Sequence, residues 1–248
     1  MTRYSIFDKP GAARMAPADT AGRRLRCAAR AALLCAGMLA GALHAQEISP
    51  AEKMLFQTDH LHNVTGAKAL RYGYVHKETA GPGFDDQVTV EVGAKGSDGS
   101  AAVSTRFLTG ERQVTLPPVS NAQGNPALLG FLERDINEMK RLTGGSTNYF
   151  RKRIRLALAE AARVESVSVP YGGRQVEGKQ IAIQPYLNDP MKEKMQKYLA
   201  KRYVFILSDQ IPGSVYQVRS TVPSAQQGGR TDGAALIEET MTVANGSS

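Results

Sequence analysis

The chain of 248 residues is 42% hydrophobic, 22% charged and only 6% aromatic, with two cysteines and no tryptophan. That length can bury a substantial core, and the composition excludes a disordered, fibrous or disulfide-stapled chain. The formal charge of +8 raises a nucleic-acid partner, but the first 45 residues hold seven of the 31 Lys/Arg and two of the 23 Asp/Glu, so the remainder carries a net charge of only +3, which disfavours nucleic acid.

The stretch from Arg23 to Arg30 is basic, the 13 residues Ala31–Leu43 are apolar, and Leu43-His44-Ala45 ends on small residues. This three-part layout predicts a secretory signal cleaved after Ala45 and places the mature chain in the periplasm. The expected organisation is a leader and signal over 1–45 and a single domain over 46–248. The apolar run falls short of the roughly 20 residues that a spanning helix needs, so no permanent membrane span is predicted. Twin-arginine export and lipidation are both disfavoured. Arg23-Arg24 lacks the flanking residues of the former, and branched Leu34 precedes Cys35 where a lipid-attachment site wants a small residue. Cys27 and Cys35 both lie in the expected signal, which leaves the mature chain without disulfides, thiol nucleophiles or zinc–thiolate sites.

Beyond the signal, Ser49-Pro50-Ala51-Glu52 is a capping box with proline at the first helical position, and it predicts a short helix. From about Lys68 the apolar period becomes two. Leu70, Tyr72 and Tyr74 share one strand face, and after Gly81-Pro82-Gly83 so do Val88, Val90 and Val92. Val103 with Phe107, then Val114 with Leu116, extend this meander to Pro117-Pro118. Asn125-Pro126 opens a helix with apolar residues at three- and four-residue spacing, among them Phe131, Leu132 and Met139, and Gly144-Gly145 stops it.

A second helix runs from near Ser146 with Phe150, Ile154 and Leu158 on one stripe and Arg151 and Arg155 on its shoulder. Val167 to Tyr171 and Ile181 with Ile183 read as a hairpin around Gly172-Gly173, with a loose arm between Arg174 and Gly178. Asn188-Asp189-Pro190 predicts a third helix with Met191, Met195, Tyr198 and Leu199 facing inward and Lys201-Arg202 complementing its C-terminal dipole. Tyr203–Leu207 is apolar throughout, as in a strand covered on both faces. Pro212-Gly213 turns it into a strand bearing Val218 and Val222, and Ile237, Met241 and Val243 supply a closing strand. The sum is an α+β fold with a largely antiparallel, curved sheet of about nine strands partly covered by about four helices. That plan has the architecture of the half-barrels that carry lipids and lipoproteins in bacterial envelopes. The analogy is of architecture alone and assigns no function.

Asp135 is the most informative side chain, because it falls between Phe131 and Met139 in the middle of an apolar stripe. Burial there demands a partner, and the expected one is Arg151, Arg153 or Arg155 across the Gly-Gly turn. The Thr143–Ser146 turn before Arg151 could cradle an anion, though the nucleotide-binding glycine loop is absent. His60 and His62 lack a third ligand, and no metal or other cofactor is predicted. With no nucleophile elbow, the chain reads as non-enzymatic, and an acid–base enzyme built on Asp135 and a histidine is kept only as a third reading.

The abundance of aliphatic faces predicts an exported binding or carrier protein with an apolar groove for a lipid, an acyl chain or a hydrophobic peptide. Asp135, Arg151, Arg155, Met139, Met191 and Met195 are its candidate binding residues, the methionines being suited to an adaptable pocket. The alternative is an envelope-complex subunit that docks on a protein partner through a basic helix bearing Lys194 and Lys197, or through a sheet edge.

Overall fold

The computed structural model describes residues 48–97, 100–224 and 235–244. The expected signal, both cysteines and the predicted cleavage site lie outside these residues. The first helix, α1 (Pro50–Phe56), starts as the sequence dictates: the Ser49 hydroxyl accepts the Glu52 N–H at 3.1 Å, and the Glu52 carboxylate accepts the Ser49 N–H at 3.1 Å. Strands β1 (Lys68–Glu78), β2 (Phe84–Val92), β3 (Val103–Phe107) and the two-residue β4 (Val114–Thr115) then form an antiparallel meander. Two helices follow, α2 (Pro126–Thr143) and α3 (Thr147–Glu160), and a second meander is built from β5 (Arg163–Tyr171), β6 (Arg174–Ile183), β7 (Arg202–Leu207), β8 (Val215–Val222) and β9 (Ile237–Val243).

The second meander returns to the first, so that β9 pairs with β1 and the strand order is β4-β3-β2-β1-β9-β8-β7-β6-β5. All nine strands lie in one antiparallel sheet, open at β4 and at β5, and four helices complete the α+β fold among the described residues. The β5–β6 hairpin is longer than the sequence reading allowed. Pairing is continuous from Tyr171↔Arg174 to Arg163↔Ala182, so the supposed loose arm is strand, closed by Gly172 and Gly173 at positive φ. Tyr203 to Leu207 are buried at every position.

Helix α2 begins at Asn125, whose side-chain oxygen accepts the Ala127 N–H at 3.1 Å, and it ends on Gly144 in the left-handed conformation that glycine adopts without strain. Its buried residues include Leu128, Phe131, Ile136 and Met139, and it lies against β2, β3 and β8, while α3 lies against β6. The approach of α2 is close because Gly130 has no side chain. A Cβ there would sit 2.5 Å from Cδ2 of Phe107 and 3.0 Å from Cδ1 of Leu116. Phe107 is fully buried against Tyr74 and cannot swing away. Gly130→Ala should therefore lower stability by about 1 kcal/mol net, because overpacking of about 1–3 kcal/mol outweighs the roughly 1 kcal/mol that alanine gains over glycine in a helix. A thermal melt checks this. A raised melting temperature would mean that α2 slides off Phe107 freely.

The third predicted helix is the main departure. Only Lys192–Met195 (α4) is α-helical, followed by a single 3-10 turn at Gln196–Tyr198. Two local causes are visible. Asp189 turns its carboxylate back to accept the Met191 N–H at 2.8 Å, and Gln196 has a positive φ of 22° that ends the helix after one turn. Met191 is consequently 41% exposed and does not belong to an inner face, whereas Met195 and Tyr198 are buried as expected.

Candidate functional site

The sheet register puts four polar side chains in one transverse row on its helix-covered face. His76 of β1 lies opposite Glu239 of β9, Glu239 opposite Ser220 of β8, and Ser220 opposite Tyr203 of β7. Helix α2 lays two consecutive charged residues over this row. Arg134 donates to Glu239, and Asp135 accepts from the Tyr203 hydroxyl, from the Lys201 ammonium and, at 3.3 Å, from the Ser220 hydroxyl. Lys201 enters from the residue just before β7. The result is two adjoining clusters, Arg134–Glu239–His76 and Lys201–Asp135–Tyr203.

Burial grades along the row. Asp135 is fully buried and Lys201 and Glu239 are nearly so, while the side chains of His76 and Arg134 keep 14% and 19% of their exposure. Solvent thus reaches the His76–Arg134 end and not the Asp135 end. Burial opposes ionisation of Glu239, but the hydrogen bond from His76 and the charges of Arg134 and Lys201 outweigh it and hold its carboxyl at about 2. The hydrogen bond to Glu239, at 3.0 Å from Nδ1, raises the His76 pKa against the opposing effect of burial. Burial first, and then the Asp135 charge, push the Tyr203 phenol well above its ordinary value, so Tyr203 is a hydrogen-bond donor across the physiological range.

Tyr74 stands beside this row. Its ring has centroids of Phe84, Phe107 and Phe131 each 6.0 Å away, with the Arg134 guanidinium 5.3 Å above it. Its hydroxyl is buried with no hydrogen-bond partner among the described residues, and burial raises its pKa, reinforced by the Glu239 charge. Such a site positions α2 on the sheet by fixed charges. Its one half-accessible titrating group is His76.

The expected partner of Asp135 is not the one found. Asp135 lies on the sheet-facing side of α2, so it meets the residues of β7 and β8 and Lys201, and not the arginines of α3. Arg151 instead makes a two-pronged pair with Glu133, at 2.9 and 2.6 Å, Arg153 lies 3.0 Å from Asp189, and Arg155 is 3.9 Å from Glu52. The structure therefore does not bring Arg151 or Arg155 to Asp135. Nor does Lys201 sit at a helix end as a dipole partner. Met139 and Met195 are buried in the main core, Met191 is exposed, and Lys194 and Lys197 are both exposed.

His60 and His62 are also occupied locally. His60 uses both ring nitrogens, Nε2 donating to the Met54 carbonyl at 2.7 Å and Nδ1 accepting the Asn125 N–H at 3.1 Å, and burial lowers its pKa. His62 Nδ1 lies 2.6 Å from the Asp59 carbonyl oxygen. Among the described residues no helix is long and apolar enough to cross a membrane. No protein-family model matches the chain, and no curated protein matches it.

Proposed function

We propose that the protein is an exported, non-enzymatic carrier that holds the apolar part of a lipid, an acyl chain or a hydrophobic peptide between α2 and the sheet. The observation that supports this reading most directly is the layering. An open nine-stranded sheet is covered on one face by helices, and both contribute their apolar sides to one continuous core. The signal-like leader is consistent with work outside the cytoplasm. Met139 and Met195 are both buried in that core, so loading requires the core to repack around the ligand. Methionine side chains suit such repacking because they are unbranched and polarizable.

The test is native mass spectrometry of the chain expressed from its full sequence, exported and purified without detergent, followed by organic extraction of anything bound. A co-purifying lipid or acyl species, or saturable enhancement of an apolar dye, is the expected result. A clean apo mass that persists after incubation with total envelope lipid overturns the carrier reading. The envelope-complex reading then takes its place, with a fixed protein partner that is lost on charge reversal at Lys194 and Lys197 as its signature.

A further inference from the structure

The segment between β6 and β7 carries two of the most exposed large apolar side chains among the described residues, Leu187 at 53% and Met191 at 41%. Their exposure is built in. Between them Asp189 is only 3% exposed, and its carboxylate is anchored to α3 by the Tyr149 hydroxyl and by Arg153 Nε at 3.0 Å, while it also accepts the Met191 N–H. The buried anchor holds the loop against the body of the protein, and the residues on either side of it are left facing outward.

The same stretch continues into Lys192, Lys194 and Lys197, all exposed, with Glu193 as the only acid among them. Lys197 lies over the Tyr198 ring at 5.2 Å, which keeps its stem along the surface and its charge at the rim. Asp189 of the same segment faces Arg153 and Tyr149, so it does not offset the lysines. An outward apolar pair bordered by cations is complementary to a surface with anionic groups above an apolar layer. A folded acidic protein would match the lysines but leaves the two apolar side chains without a stated counterpart.

We propose that Leu187, Met191, Lys192, Lys194 and Lys197 form a docking surface for an anionic phospholipid bilayer, the lysines lying at the headgroups and the two apolar side chains dipping below them. The contact is peripheral and salt-sensitive. It stands whether or not the protein carries a ligand in its core.

Flotation of the exported protein with phosphatidylglycerol-rich vesicles, beside phosphatidylcholine-only vesicles, tests it at low and high salt. The expected result is binding to the anionic vesicles alone, weakened by salt. Replacement of all three lysines by glutamine (K192Q, K194Q, K197Q) should weaken it roughly 100-fold, at about a fivefold loss for each cation near the surface. Leu187→Ser with Met191→Ser should weaken it roughly 10-fold through lost apolar burial. Circular dichroism melts identical to wild type show that the exposed substitutions leave the fold intact, and any affinity from elsewhere in the chain is common to all variants. Equal binding to both vesicle types, absence of binding at low salt, or lysine variants that bind as well as wild type would each overturn the proposal. Capture of a soluble acidic protein without vesicle binding would do the same. A clean apo mass in the carrier experiment leaves a positive flotation result untouched, so the two readings fail separately.

Discussion

Asp135→Ala is expected to destabilise the protein by about 3–5 kcal/mol, because it leaves the buried Lys201 ammonium without the carboxylate bonded to it. The Tyr203 and Ser220 hydroxyls lose an acceptor at the same time, so the loss is not only Coulombic. For a domain of this size that corresponds to a fall in melting temperature of roughly 10 °C. The informative comparison is with Asp135→Leu combined with Lys201→Met. Removing both charges and refilling the volume should recover most of the loss, since a buried ion pair seldom outperforms apolar packing by much but half of one is costly. A double-mutant cycle then gives the coupling. A loss under about 1 kcal/mol for Asp135→Ala would mean that Lys201 reaches solvent in the variant and that the pair does not hold α2 to the sheet.

Local rules carried the sequence reading far. The Ser49 box, the Asn125 cap, the Gly144 stop and the Gly172-Gly173 turn each specify their own neighbourhood, and the structure follows them. The inward position of Asp135 was legible too, because a single helix period fixes it. Its partner was not, since which strand lies under α2 depends on the return of β9 to β1, a pairing that no local pattern encodes. The rest of the polar row has its signal in strand parity. If Ile237, Met241 and Val243 point inward, period two puts Glu239 inward with them, and the same parity turns Ser220 in with Val218 and Val222. His76 shares the face of Tyr72 and Tyr74 for the same reason. Lys201 differs: the helix expected before it implies a role as a dipole partner, and that helix ends at Met195, where Gln196 takes a positive φ of 22°.

Glu239→Gln is the second large effect expected. Glu239 is the acceptor shared by Arg134 and His76, and it is 3% exposed, so neutralising it leaves a half-buried guanidinium without its partner. The cost should fall near the low end of about 3–5 kcal/mol, since Arg134 retains some contact with water and glutamine keeps one acceptor oxygen. The loss should depend on pH in a defined window. The carboxyl of Glu239 is depressed from 4.5 to about 2 in the folded chain, so its stabilisation is present above about 4.5 and fades as pH falls toward 2. The pKa of His76 is raised from 6.5 in the folded chain, so its contribution is complete below 6.5 and fades as pH rises through the folded value. The stability difference between wild type and Glu239→Gln should therefore be greatest between about pH 4.5 and 6.5, measured by urea unfolding at a series of pH values. Proton NMR of the His76 ring gives an independent reading, since losing the Glu239 carboxylate should lower its titration midpoint. A midpoint that stays put would assign the raised value to Glu78, whose carboxylate lies 3.6 Å from Nε2, and would detach His76 from the row that fixes α2.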